Sequence, residues 1–171
     1  MKWPLTLSLV CLLTFLSGCT SAPKGIAPIE GFELSRYLGT WHEIARLDHG
    51  FERGLSQVSA EYQLRDDGGV SVINRGYSAA DKSWKVAEGK AYFVESSDIG
   101  HLKVSFFGPF YGAYVIYRLD SDYQYAFVTS YNRDYLWLLA RSPEIDESLK
   151  QDFINQAKAL GFDTQALIWP G

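Results

Sequence analysis

The chain has little cysteine, little histidine and no cluster of positive charge, and each shortage narrows its function. Only Cys11 and Cys19 occur in 171 residues, both near the N-terminus, so the domain that follows has no disulfide and must be stabilised by packing. Lysine and arginine number 16 against 20 acidic residues, which gives a formal net charge of -4. Because no basic patch is present to neutralise phosphates, nucleic acid is not an expected partner.

Motifs for covalent or metal catalysis are also missing. The three histidines, His42, His49 and His101, lie in separate segments without metal-ligand spacing. The sequence contains no Gly-x-Ser-x-Gly elbow, no cysteine nucleophile and no glycine-rich phosphate loop. We therefore predict a protein that is not an enzyme and that uses no metal and no cofactor. A lipid-modifying enzyme stays open as the alternative, because a missing motif does not exclude catalysis.

The N-terminus is typical of a bacterial lipoprotein precursor. Lys2 precedes an apolar run, residues 5–15, that is too short to span a bilayer. Leu16-Ser17-Gly18-Cys19 resembles a lipobox, in which the cysteine thiol receives a diacylglyceryl group. We predict a signal peptide over residues 1–18, a lipid anchor at Cys19 with a short tether over residues 19–30, and the folded domain over residues 31–171.

The residue after the cysteine predicts to which bacterial membrane the lipoprotein is sorted. It is Thr20 rather than aspartate, and by resemblance to sorted bacterial lipoproteins this favours export to the outer membrane. Several acyl chains on one residue give a durable anchor, whereas a single chain binds only marginally. We expect a lipid-anchored outer-membrane protein whose folded domain faces the periplasm.

Eight strand patterns follow one another at the spacing of an antiparallel up-and-down sheet, with turn residues between them. Such a sheet can close into an eight-stranded β-barrel, whose interior holds side chains or one small ligand and which has no exposed edge. After Pro143, apolar residues recur on one helical face until Gly161, which predicts a C-terminal α-helix packed on the barrel wall. Leu167–Trp169 has the composition of a short final strand. The predicted barrel strands are residues 41–47, 58–65, 70–77, 84–94, 101–107, 114–119, 125–131 and 135–141.

Several segments, in this order, resemble the lipocalin family and most closely its bacterial outer-membrane members. Gly39-Thr40-Trp41 starts the first strand, and Arg141 ends the last one as a cation able to lie over an indole face. The usual Thr-Asp-Tyr turn is replaced by Ser121-Asp122-Tyr123. The other matching segments are Phe51–Gly54, Asp66–Gly69, Glu88–Tyr92, Lys103–Gly112 and Arg133–Trp137. The resemblance implies a structural role for Gly39, Trp41 and Arg141, and a fatty acid or phospholipid, especially a single-chain one, as ligand.

The resemblance also indicates which residues face the barrel interior. Glu43 and Ala45 follow Trp41 at intervals of two residues, so regular strand alternation places all three side chains on the same, inner face. Small residues at Ala60, Gly89 and Ala91 predict empty volume, because a filled core would place bulk there. The pattern of strand 114–119 does not decide which of its side chains face inward. An outward-facing Arg118 would place Val115 and Tyr117 on the inner side. The predicted ligand-binding residues are Ala60, Tyr62, Phe93, Val104, Phe106, Val115, Tyr117, Tyr135 and Trp137.

Three alternatives stay open at this point. Large side chains that fill the barrel would make the protein a structural or interaction module. Residues 108–112 form either a glycine-hinged aromatic flap at the entrance or a rigid turn. Homodimerisation is compatible with the sequence and is not decided by it. We predict an outer-membrane lipoprotein that stores or transports fatty acids or phospholipids, lysophospholipids in particular, for membrane maintenance.

Overall fold

The computed structural model describes residues 19–171, and the predicted signal peptide lies outside the described residues. Within this range eight antiparallel strands form one closed barrel in chain order, because the first strand pairs with both the second and the eighth. The predicted barrel is confirmed. The strands are β1 Gly39–Arg46, β2 Leu55–Leu64, β3 Val70–Ser78, β4 Ser83–Phe93, β5 His101–Phe107, β6 Phe110–Leu119, β7 Tyr125–Thr129 and β8 Leu136–Ala140. The helices are α1 Leu34–Tyr37, α2 Glu147–Ala159 and a 3-10 helix Thr164–Ala166.

The predicted C-terminal helix, α2, packs on the barrel wall. Asp146 caps it by accepting a hydrogen bond from the backbone N–H of Leu149 at 2.8 Å. Phe153 and Ala157 are fully buried against the outer face of the barrel, where the ring of Phe153 lies 4.9 Å from that of Phe127. No helix in the described part of the chain is long and apolar enough to cross a membrane. Beyond α2, the predicted final strand reduces to a single bridge between Ile168 and Arg46.

One end of the barrel is closed by Trp41 and Arg141. The indole of Trp41 is fully buried and donates a hydrogen bond to the carbonyl oxygen of Tyr37 at 2.7 Å. The guanidinium of Arg141 lies 4.0 Å from the indole centroid, as predicted, and donates to the carbonyls of Thr40 and Arg36 at 2.9 and 2.8 Å. Gly39 begins β1 with φ +92°, a conformation that favours glycine, directly below this guanidinium. We call this the closed end.

The connections β1–β2, β3–β4, β5–β6 and β7–β8 all lie at the opposite end, because consecutive strands run in opposite directions. We call it the open end. In the β5–β6 connection Phe107 pairs with Phe110, which leaves Gly108 and Pro109 as the turn. The 108–112 segment is thus part of a hairpin rather than a separate flap, and β6 starts earlier than the predicted Tyr114.

The register shifts in four of the strand pairs, and two of these irregularities decide which side chains face inward. In β1 the register with β8 shifts between Glu43 and Ala45, and in β6 the register with β7 shifts between Ile116 and Arg118. A bulge adds one residue to one strand, so side chains beyond it change faces. The predicted inward orientation of Ala45 is wrong for this reason, since Ala45 packs in the cluster that contains α2.

The segment predicted as a tether, residues 19–30, lies along the barrel rather than hanging free. The carbonyl of Cys19 accepts a hydrogen bond from the backbone N–H of Ala113 at 2.8 Å. The backbone N–H of Ile29 donates to the carbonyl of Ile116 at 2.9 Å, and Ile26 is buried against the barrel wall. Strand β6 therefore holds the N-terminal segment along much of its length.

Removing the guanidinium at the closed end is expected to loosen the barrel. We predict that Arg141→Ala lowers the free energy of unfolding by about 1–3 kcal/mol, from the lost cation–π contact and unpaired carbonyls. Arg141→Lys should recover part of this, because it keeps the charge but not the forked donors. Denaturant unfolding measures both variants. Arg75→Ala, on the outer wall with one ion pair at 3.9 Å, is the matched control, and an equal loss there would contradict the assignment.

Candidate functional site

The barrel encloses a cavity of about 400 Å³. This volume lies within the range of about 300–1,000 Å³ that is usual for small-molecule sites, which are concave and mostly apolar. Residues from seven of the eight strands, all except β7, contribute to its wall. The apolar lining includes Val58, Ala60, Val70, Val72, Ala91, Leu102, Val104, Phe106 and Leu139. The barrel is thus not filled by its own side chains.

Six of the nine predicted ligand-binding residues lie in the cavity wall. The rings of Tyr135 and Trp137 stack there at 6.0 Å between centroids. The ring of Phe106 lies 4.8 Å from that of Phe51, which comes from the β1–β2 loop and closes over it. The six are Ala60, Tyr62, Val104, Phe106, Tyr135 and Trp137.

The predicted inward orientation of Val115 and Tyr117 is wrong. The ring of Tyr117 lies on the outer face, 6.0 Å from the ring of Phe127 and 6.3 Å from that of Phe162. Arg118 is also outside, where its guanidinium lies 3.3 Å from the carboxylate of Asp152 on α2. The bulge after Ile116 allows the side chains of Tyr117 and Arg118 to lie on the same, outer side of the barrel. The outward position of Arg118 therefore does not imply that Tyr117 faces inward.

Two further interior residues differ from expectation. Phe93 belongs to the inner apolar cluster but does not line the cavity, because Phe32 of the N-terminal segment packs beside it at 6.1 Å. Gly89 does not provide empty volume. A Cβ at this position would lie 2.8 Å from the ring of Phe106, so the glycine makes room for that ring.

A tyrosine cluster that the sequence analysis missed lies within the cavity wall. The hydroxyl of Tyr114 is 2.7 Å from that of Tyr37 and 2.9 Å from that of Tyr62. Burial is the main cause that raises the pKa of all three hydroxyls, so they remain protonated donors at neutral pH. Tyr114 follows from alternation once β6 is assigned correctly, whereas Tyr37 lies on α1, for which no pattern was recognised.

A second polar group lies near the open end, around Glu43. The bulge in β1 turns Arg46 to the same side as Glu43, and its Nη1 donates to the Glu43 carboxyl at 2.5 Å. The β1–β2 loop adds Glu52, whose Oε2 accepts from Trp137 Nε1 at 3.1 Å and lies 2.9 Å from Nε2 of His49. All four titratable side chains are buried. We call Glu43, Arg46, His49 and Glu52 the polar cluster.

The two carboxyl groups of the polar cluster have divergent pKa values. Burial and then the neighbouring Glu52 charge raise the pKa of Glu43 well above its usual value, against the attraction of Arg46. Burial also disfavours ionisation of Glu52, but its polar neighbours, His49 first and then Glu43, outweigh burial and lower the pKa of Glu52. These opposite directions favour a protonated Glu43 beside an ionised Glu52.

The lining can hold an apolar chain and a few polar atoms at once. Glu43, His49 and Glu52 face the cavity together with the apolar residues. The Oδ1 atom of Asn74, also in the wall, is buried and has no hydrogen-bond partner among residues 19–171. A buried polar atom without a partner favours a ligand atom that can satisfy it. Within the described residues no group of His, Cys, Asp and Glu side chains is arranged to hold a metal ion.

A closed eight-stranded barrel with an apolar central cavity defines the class of ligand-binding β-barrel proteins. A family model described as the lipocalin-like domain matches residues 32–171. The chain belongs to the lipocalin family. Its fold is also that of insecticyanin from the tobacco hornworm Manduca sexta, with a TM-score of 0.67 and 22% identity over 88% of this chain and 86% of that one.

Proteins with related sequences align with most of the chain. The chain is 56% identical over 162 residues to the outer membrane lipoprotein Blc of Vibrio cholerae, covering 94% of this chain and 95% of that protein. It is 51% identical to the protein of the same name in Escherichia coli K12, covering 86% and 83%. Apolipoprotein D of Bos taurus is 33% identical, covering 77% and 78%. The bacterial relatives support the predicted lipid-anchored location at the outer membrane.

The raised pKa of Glu43 predicts a pH dependence of stability. Above the ordinary glutamate pKa of 4.5, the unfolded chain ionises at this position while the folded chain keeps its proton. Folding then takes up a proton, so the free energy of unfolding falls as the pH rises toward the pKa of Glu43 in the folded chain. The total fall is about 1.4 kcal/mol for each unit by which the folded pKa exceeds the unfolded pKa. Glu43→Gln keeps a donor for Glu52 and an acceptor for Arg46 but cannot ionise, and should lack this fall.

The measurement is denaturant unfolding between about pH 5 and pH 9, where this linkage operates. Glu88→Gln, an exposed glutamate on the outer wall, is the control and should follow the wild-type profile. A Glu43→Gln variant that keeps the full wild-type decline would contradict protonation of Glu43 in the folded state.

Proposed function

We propose that this lipocalin binds a single-chain lipid, a fatty acid or a lysophospholipid, in the barrel cavity and stores or transports it for maintenance of the outer membrane. The observation that carries the proposal is the cavity of about 400 Å³ with a predominantly apolar wall. Each methylene moved from water into such a wall contributes about 0.8 kcal/mol and needs no polar partner. A long acyl chain therefore gains affinity from length alone.

The polar atoms of the wall supply places for a headgroup. Near the open end, the polar cluster offers the imidazole of His49 and the carboxyl of Glu43. Asn74 on β3 adds an amide oxygen without a protein partner. The tyrosine cluster adds three hydroxyls. We infer that the acyl chain occupies the apolar interior and that the headgroup contacts this polar wall.

We infer a binding role rather than catalysis. The Glu43 carboxyl already accepts a hydrogen bond from Arg46, and burial beside Glu52 raises its pKa, so we assign it to the internal network. The sequence relatives reported above are named as outer membrane lipoproteins and an apolipoprotein. Lipid recovered unchanged after prolonged incubation with the protein would agree with this role, and recovery of a hydrolysed lipid would favour the lipid-modifying enzyme.

Truncating a cavity aromatic should weaken lipid binding without unfolding the protein. Trp137 lies in the cavity wall, whereas Trp169 lies in the outer cluster that contains α2. We expect Trp137→Ala to lower the affinity for a fatty acid at least about tenfold, which corresponds to about 1.4 kcal/mol of lost contact. Trp169→Ala, a truncation of the same size outside the cavity, should leave the affinity unchanged.

Displacement of a fluorescent fatty acid measures both affinities, and circular dichroism melting verifies that both variants fold. Equal affinity for wild type and Trp137→Ala would remove Trp137 from the binding site. Equal weakening by the two variants would show that the effect comes from the fold rather than from the cavity.

A further inference from the structure

The predicted lipidation site, Cys19, has a fixed position on the barrel. Its carbonyl accepts a hydrogen bond from the backbone of Ala113, and the carbonyl of Thr20 lies 2.7 Å from Nε2 of His101. Further along, the guanidinium of Arg133 donates to the carbonyl of Lys24 at 2.8 Å. Because the segment is bonded from its first described residue, acyl chains on Cys19 would hold the barrel in a defined orientation on the membrane.

Cys19 lies at the open end. Ala113 is the fourth residue of β6, which starts from the open-end turn at Phe110. The side chains of Phe110 and its partner Phe107 are 79% and 72% exposed, the largest exposures among the bulky apolar residues described. The anchor and these two rings thus share one edge of the barrel mouth.

The two ends of the barrel differ in charge. At the open end, two exposed loop carboxylates are paired with cations, Asp48 with Arg53 at 2.9 Å and Asp81 with Lys85 at 2.8 Å. The third, Asp134, is accompanied in these loops by two further cations, Lys82 and Arg133. The loops at the closed end carry six exposed carboxylates, of which Glu33 pairs with Arg36 at 3.4 Å and Asp67 with Arg65 at 3.0 Å. An anionic lipid surface repels the other four. The six carboxylates are those of Glu33, Asp66, Asp67, Glu95, Asp98 and Asp122.

We propose that the open end docks on the leaflet that holds the acyl chains of Cys19, with Phe107 and Phe110 inserted at the membrane interface. Aromatic rings are stable there because they bury apolar surface at the boundary with the headgroups. The short fixed connection to the anchor identifies the occupant of this surface as a bilayer. In this orientation the cavity opens onto the membrane, and a lipid passes between them without crossing bulk water.

The test measures the depth of one fluorophore in a bilayer. Cys19 is consumed by lipidation and Cys11 belongs to the predicted signal peptide, so the mature lipoprotein offers a single introduced thiol for labelling. Phe110→Cys places the label at the open end. Leu64→Cys, which replaces another exposed apolar residue, 62% exposed and at the closed end of β2, is the matched control.

Each lipoprotein, labelled with an environment-sensitive fluorophore, is reconstituted into vesicles of phosphatidylethanolamine and phosphatidylglycerol with or without nitroxide-labelled lipid. We expect a blue-shifted spectrum and several-fold stronger nitroxide quenching at position 110 than at position 64. Equal quenching at the two positions, or stronger quenching at 64, overturns the proposal. A blue shift at 110 without quenching also overturns it, because a second copy of the protein then covers the rings.

The cavity needs no ligand in this experiment. A negative result therefore rejects the docking surface and leaves lipid binding in the cavity standing, and a failed binding assay does not alter the expected quenching. Equal melting temperatures for the two labelled variants establish that both barrels are folded.

Discussion

Closure of the sheet through β1 is the constraint on which the rest of this structure depends. This strand pairs with β2 on one side and β8 on the other, so no edge is left and an interior is enclosed. The closure is reinforced at one end only, where Trp41 is sealed beneath Arg141. The opposite end is left to loops, and it is there that an entrance can exist.

A bulge in the same strand gives the interior its chemistry. By shifting the register after Glu43 it turns Arg46 inward, which in regular alternation would face the other way. Arg46 then donates to Glu43, to the carbonyl of Glu52 in the β1–β2 loop at 3.0 Å, and to the carbonyl of Leu55 at the start of β2 at 3.1 Å. One buried guanidinium thus holds the β1–β2 loop at the open end of the barrel. It also lies beside the carboxyl groups of Glu43 and Glu52 within an otherwise apolar cavity.

The same kind of irregularity marks the limit of prediction from sequence. Strand patterns and turn residues were enough to predict the strands and the helix. The resemblance to lipocalins was needed to predict which side chains face inward, and six of the predicted ligand-binding residues do lie in the cavity wall. Alternation failed at Ala45 and Tyr117, because a bulge depends on the pairing of two strands and leaves no local signal. Phe93 was assigned to the correct side, but its neighbour Phe32 comes from a segment distant in sequence.

The packing of the N-terminal segment on the barrel could not be predicted from the sequence either. Residues 20–28 have the composition of a linker, yet the carbonyls of Thr20 and Lys24 meet His101 on β5 and Arg133 in the β7–β8 loop. The flanking residues Cys19 and Ile29 bond to the backbone of β6. Composition reports what a segment could do alone, whereas those partners exist only once the barrel is closed. The fixed segment turns the anchor from a simple attachment into a determinant of orientation.

The central claim is that the closed barrel holds a finite cavity for one acyl chain. Calorimetric titration of the lipid-free protein with saturated fatty acids of increasing chain length tests it most directly. The account predicts saturable binding that tightens with each added methylene, by up to about 0.8 kcal/mol, and then stops tightening when the cavity is full. No binding across the series, or affinity independent of chain length, would contradict it.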